Sequence, residues 1–196
     1  MNADWTRYYD ATRDEPRETL LFALEKFEAE DRSGLAVDLG CGTGRDTAEL
    51  LRRGWSVLAI DGEEEAIARL RRRAFTDDQR VRLGTQIAPF EDAVWPPADL
   101  INASWSLPFC PPDRFDQLWA KLSSSLCPGG RFSGQLFGDG DEWAGNPDLT
   151  FLTRAQAEAL LGAFDAERFD EVEEDSTTAV GDPKHWHVFH VVARKY

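Results

Sequence analysis

Val37-Asp38-Leu39-Gly40-Cys41-Gly42-Thr43-Gly44-Arg45-Asp46 continues an apolar segment that begins at Leu35 and leads into a helical pattern over 46–53. The order predicts a strand, a tight turn and a helix. Glycine at alternate positions opens backbone dihedrals closed to other residues and lets a ligand lie against bare main chain. The amides that open the next helix point at that ligand and favour a negative group such as a carboxylate or phosphate. The stretch reads as a nucleotide-type ligand site, with an unliganded glycine turn as the plainer alternative.

Two ligand chemistries use such a turn, and Asp38 separates them. A dinucleotide fingerprint is spaced G-x-G-x-x-G; here the spacing is G-x-G-x-G, with Arg45 where the third glycine would stand. A carboxylate two residues before the first glycine would also repel a pyrophosphate. S-adenosylmethionine carries no phosphate. Its ammonium and sulfonium are attracted by an aspartate, and its single carboxylate suits the helix start. With Asp38, Gly40, Gly42 and Gly44 in the pattern D-x-G-x-G-x-G, the chain resembles the class I S-adenosylmethionine-dependent methyltransferases. The resemblance implies that the turn from Asp38 to Arg45, Cys41 included, holds the methyl donor.

A second apolar run, 55–60, closes on Asp61-Gly62, seventeen residues beyond Gly44. An acidic side chain at the tip of the second strand can accept hydrogen bonds from both ribose hydroxyls, so Asp61 with Gly62 is the expected ribose site. An ordinary Asp-Gly turn is the alternative. A short third strand is expected over 81–84. The family usually places an aspartate after it, followed by a side chain beside the adenine; this sequence has Thr85-Gln86-Ile87, so the resemblance assigns Gln86 to the adenine edge and Ile87 to its face. The fourth strand, 99–103, ends at Asn102 and Ala103, which by the same likeness hold the methionine part of the donor through main-chain groups. The strand continues into Ser104-Trp105 rather than an Asn-Pro-Pro-Tyr tetrapeptide, which would have indicated methylation of an amino nitrogen in nucleic acid or protein. Trp105 and Phe109 are expected either to line a substrate pocket or to pack in the core.

The chain of 196 residues, 42% hydrophobic, is long enough for one well-buried domain and short for two. The expected organisation is a single domain, 1–196, with a helical cap segment over 1–30 and a catalytic core over 34–196. A net charge of −14 argues against a nucleic-acid partner, since phosphate binding needs concentrated positive charge, and leaves small molecules as substrates. No run reaches membrane-spanning length, and Met1-Asn2-Ala3-Asp4-Trp5 lacks a basic stretch followed by an apolar one, so the expected location is the cytoplasm, as a monomer or homodimer. The three cysteines, Cys41, Cys110 and Cys127, lack C-x-x-C spacing and predict reduced thiols, Cys41 as a small packing residue. The basic cluster Arg69 with Arg71 to Arg73 reads as a solvated helix face.

Trp5, Tyr8 and Tyr9 make the first residues too aromatic for a simple tail. The resemblance implies that Tyr8 or Tyr9 covers the donor; edge packing is the alternative. Helices are expected over 15–30, 63–74, 113–126 and 157–164, the last after the start box Thr153 to Gln156. Cys127-Pro128-Gly129-Gly130 turns the chain into a fifth strand, 131–137, and two further strands, 166–172 and 186–193, flank an acidic loop over 173–183. On a strand His185 and His187 share a face and His190 points away, so only two histidines can converge and no metal site is expected. His187 and Asp139 are the candidates for a general base. The segments around Phe109 and 183–189 also look like the small bacterial tellurite-resistance-type branch of the family.

Alternating strands and helices predict an α/β, Rossmann-like doubly wound sheet, and the family likeness implies seven strands ordered 3-2-1-4-5-7-6 with the last antiparallel. The implied reaction is in-line methyl transfer to an oxygen, nitrogen or sulfur nucleophile of a small molecule. The rival readings are an inactive S-adenosylmethionine-binding subunit or sensor that works through a protein partner, and a dinucleotide-dependent oxidoreductase.

Overall fold

Leu35–Leu39 forms β1, an interior strand of a mixed sheet, in a computed structural model that describes residues 5–12, 14–90 and 92–196. Around it the chain alternates: α1 (Trp5–Ala11), α2 (Glu18–Ala29), β1, α3 (Arg45–Arg52), β2 (Ser56–Asp61), α4 (Glu64–Arg72), α5 (Asp77–Val81), β3 (Leu83–Ile87), β4 (Ala98–Ala103), α6 (Pro112–Ser125), β5 (Leu126–Gly138), β6 (Phe151–Leu152), α7 (Arg154–Leu160), β7 (Phe164–Thr177) and β8 (Pro183–Lys195). The strand order is β3-β2-β1-β4-β5-β8-β7, with β6 paired to β5 beyond the end of β4. β8 runs antiparallel to both neighbours. With the two-residue β6 set aside, this is the predicted order.

Period-two alternation divides the core between the faces of the sheet. Ala36, Leu100 and Val192 face Leu20, Leu24 and Phe27 of α2 together with Leu50, Ile67 and Leu70 of α3 and α4. Val37, Ile101 and Phe189 face Phe115, Trp119 and Leu122 of α6 and Ala157 of α7. The α2 face of β5 is polar instead. Arg131 there donates to Glu30, the C-cap of α2, and to Glu167 of β7, and Gln135 donates to Thr19 of α2.

Several boundaries differ from expectation: the helix expected over 157–164 is α7, Arg154–Leu160, with Phe164 already in β7, and β5 begins at Leu126 rather than 131. Val81 belongs to α5, which a Thr76/Gln79 capping box starts, so β3 begins two residues later than predicted. Pro16 stands before α2 rather than in its first turn, with Arg17 as the N-cap. The acidic segment expected as a loop over 173–183 is mostly strand: β7 and β8 stay in register out to Thr177↔Pro183. Its acids are accommodated because alternate side chains, Glu173 and Asp175, meet His185 on one face. The turn left over, 178–182, projects at the carboxyl edge of the sheet. The Arg69–Arg73 cluster is also more than a solvated face, since Arg69 bonds Asp10 and Arg73 bonds Asp14, clamping the N-terminal segment onto α4.

Candidate active site

The glycine turn has the backbone its sequence requires. Gly40, Gly42 and Gly44 have φ of 68°, 54° and 86°. A side chain at Gly40 would place its Cβ 2.3 Å from Ser106 Cβ, and one at Gly44 would come 2.1 Å from Leu70 Cδ1. These glycines therefore also provide close approach to β4's exit and to α4. Gly40 and Cys41 amides both donate to Ile60 O, which ties the turn to β2. Cys41 is a buried packing residue, as expected, and burial beside Asp38 and Asp61 pushes its thiol well up.

Beneath the turn lies a pair of buried carboxylates. Asp38, 2% exposed, accepts from Thr47 Oγ1 at 2.6 Å and from Asn102 Nδ2 at 2.9 Å. The same Asn102 Nδ2 donates to Asp46 Oδ2 at 3.2 Å, and Asp46 Oδ1 accepts from Arg45 Nε and the Arg17 amide. Ser133 and Ser104 hydroxyls donate to Asn102 Oδ1, which fixes the amide so that its Nδ2 faces both acids. Burial, then the neighbouring Asp46, raises the Asp38 pKa. A small crevice opens on this pair, lined by Tyr8, Gly40, Gly42, Arg45 and Ser104 among others.

Asp61, at the tip of β2, accepts from Gly42 N at 2.8 Å and Glu63 N at 2.9 Å, and burial raises its pKa. Tyr9 lies against this corner: the Cβ that Gly42 lacks would sit 3.7 Å from its ring. Burial, with the Asp61 and Glu63 carboxylates nearby, pushes its phenol well above the usual tyrosine range. α1 thus covers the turn. Arg17 enters from the start of α2. Its Nε is buried without a hydrogen-bond partner, and its guanidinium lies 5.4 Å from the Trp105 ring centre.

A cavity of about 980 Å³ continues from this corner along the carboxyl edge of the sheet. Gly40, Gly42, Asp61 and Gly62 line one end, with Pro89 and Phe90; Trp105, Phe109, Phe137, Trp143, Trp186 and His190 line the other. α1 and the 178–182 turn close over it, joined by Arg7 to Val180 O and Asp182. Trp105 takes a left-handed φ of 58°, uncommon for a bulky residue, and its amide donates to Gln135 Oε1. Trp105 meets Trp186 edge to face at 5.2 Å, and Phe137 meets both. Trp105 and Phe109 are therefore cavity wall rather than closed core.

The structure places several of the expected residues outside the lining of this cavity. Gln86 and Ile87 do not line the cavity: Gln86 Oε1 accepts from Val94 N, and Ile87 is exposed at the strand's outer end. Pro89 and Phe90 line the glycine-turn end of the cavity instead. Asn102 and Ala103 are buried behind the wall, Asn102 acting through its amide on the two acids, and the exit of β4 meets the cavity at Ser104 to Ser106. His187 faces away. Its Nδ1 accepts from Gly140 N at 3.0 Å, so its proton sits on Nε2, which donates to Glu171 at 2.9 Å. Asp139 is exposed 3.8 Å from His187 Nδ1 and likewise outside the cavity. The face that reaches the cavity is the opposite one, Trp186, Val188 and His190. That alternation was readable from sequence; the choice between faces was not. Arg17 and Asp46 were also missed, and no local pattern marks their roles.

The methyltransferase domain family matches residues 36–130. Carboxy-S-adenosyl-L-methionine synthase of Shewanella amazonensis is 33% identical over 99 residues, 47% of this chain and 40% of that relative. The chain thus spans well under half of that relative's length. TehB from Haemophilus influenzae superposes with a TM-score of 0.73 at 17% identity, over 89% of this chain and 62% of TehB. The 1,6-didemethyltoxoflavin-N1-methyltransferase of Burkholderia thailandensis, with bound 1,6-didemethyltoxoflavin and S-adenosylhomocysteine, gives 0.67 at 23% identity, over 98% of this chain and 79% of that one. At these identities the two structures establish the fold. The matched methyltransferase domain covers the glycine turn and Asp61, and with the sheet order around it the chain is similar to the class I S-adenosylmethionine-dependent methyltransferases in motif and fold.

Proposed function

We propose that the chain binds S-adenosylmethionine at the glycine-turn end of the cavity and transfers its methyl group to a small-molecule nucleophile at the aromatic end. The carrying observation is one continuous cavity with a polar corner that suits a zwitterionic nucleoside and an aromatic chamber beside it. Two buried acids, Asp38 and Asp46, suit an ammonium, and the unpartnered Nε of Arg17 suits a carboxylate. In this reading Asp61 takes the ribose hydroxyls; Tyr9 covers this corner, and Pro89 and Phe90 flank it. The paired acids disfavour the pyrophosphate of a dinucleotide.

When bound, the sulfonium supplies an activated methyl group and departs as a neutral thioether, so the protein need not protonate a leaving group. The residues orient and exclude water: α1 and the 178–182 turn roof the cavity, and Trp105 is held by Gln135. Where the acceptor must lose a proton, His190 is the histidine that faces it, and burial lowers its pKa, keeping it neutral and able to accept. Calorimetry of the full chain with S-adenosylmethionine, S-adenosylhomocysteine and NAD tests this reading. Binding of the first two alone supports it; NAD binding in their place overturns it.

A further inference from the structure

The tryptophans at the acceptor end already carry cations. Lys184 is 3% exposed, pairs with buried Asp141, and lies 3.7 Å from the Trp186 ring centre and 4.3 Å from that of Trp143. It does not line the cavity, whereas both rings do. Arg17 stands 5.4 Å from the Trp105 ring centre. A cation draws π density toward itself and makes the ring a poorer partner for a second cation and a better one for an electron-rich ring. The acids that line this end, Asp148, Glu174 and Asp182, are all exposed at the rim, and Asp182 lies 3.8 Å from Arg7, so they offer an organic cation little. His190, its ring 6.0 Å from that of Trp105, brings an imidazole to this wall.

Resting on the donor site proposed above, we propose that the acceptor is a planar, electron-rich aromatic molecule, neutral or anionic, whose ring lies against Trp105 and Trp186 with a hydroxyl or similar nucleophile toward His190. For a hydroxyl, the oxygen forms its bond to the methyl carbon as the sulfur–methyl bond breaks. The bonding pair stays on sulfur, and the hydroxyl proton passes to His190 and then to water.

The test titrates the full chain, saturated with S-adenosylhomocysteine, with 2-naphthol, with the ring-saturated decahydro-2-naphthol and with (2-naphthylmethyl)ammonium. The expected result is 2-naphthol binding at least tenfold tighter than either. Equal binding of the saturated alcohol, or no binding of 2-naphthol, overturns the aromatic acceptor; equal or tighter binding of the ammonium overturns the charge argument. In the double variant Lys184→Met/Asp141→Asn the ammonium should gain at least threefold relative to 2-naphthol, and no gain in the folded variant overturns the role given to Lys184. If that variant does not fold, the wild-type comparison still decides. Failure of S-adenosylhomocysteine to bind overturns the donor reading instead, and the same three probes on the free chain then judge the aromatic wall separately.

Discussion

Replacing Asp38 with Asn should move stability and donor affinity in opposite directions. Asn102 cannot turn, because two serine hydroxyls donate to its Oδ1. The new side chain can present its oxygen to Asn102 Nδ2 and its amide to Thr47, whose hydroxyl then accepts, so both contacts survive. One of two buried carboxylates is removed, and with it the repulsion that helps raise the Asp38 pKa. A carboxylate with a raised folded pKa gives a native state that holds its proton more tightly than the unfolded chain. Its ionised form therefore destabilises the native state above that pKa, and stability rises as pH falls through it. The variant should melt at the same temperature or a few degrees higher, with about 1 kcal/mol equal to roughly 2–4 °C at this size. A unit charge at about 4–6 Å and an effective dielectric near 20 is worth about 3–4 kcal/mol. Asp46 keeps part of that attraction, leaving a loss of about 2 kcal/mol, roughly 30-fold in affinity. Calorimetry with S-adenosylmethionine and a thermal melt measure the two quantities. Wild-type affinity should also weaken as pH is lowered, at a pH above the ordinary aspartate range, and the variant should be flat there. Wild-type affinity in a folded variant would refute the ammonium site; a large loss of stability would show that Asp38 is structural.

Arg131, 1% exposed, bonds Glu30 and Glu167 and lies 4.5 Å from the Phe27 ring centre. Arg131→Met should cost about 3 kcal/mol in urea unfolding, at the low end for a broken buried pair because the Glu30 side chain is 31% exposed; a loss below about 1 kcal/mol would show the network is solvated. His190→Gln should lower turnover while leaving S-adenosylhomocysteine affinity unchanged, whereas His187→Gln should lower the melting temperature and spare turnover. The reverse pattern in an activity assay would return the role to His187.

The donor corner was legible because its constraints are local. Three glycines two residues apart can only serve a turn with left-handed dihedrals, and Asp38 and Asp61 sit at strand tips that adjacent hydrophobic runs define. The sheet order followed from strand and helix alternation together with the family likeness. The short β6 escaped because two residues carry no periodic signal, and the acidic end of β7 escaped because composition outweighed cross-strand pairing to His185.

The acceptor chamber belongs to the tertiary structure. Trp105, Phe137, Trp143 and Trp186 come from four separate stretches, and their meeting is set by where β4 and β5 end and the antiparallel β8 begins. The sequence showed that His187 and His190 point to opposite faces, since strand residues alternate. Which face meets the cavity depended on α2 packing over one side of β8 and β5, a contact made across more than a hundred residues that no local pattern encodes.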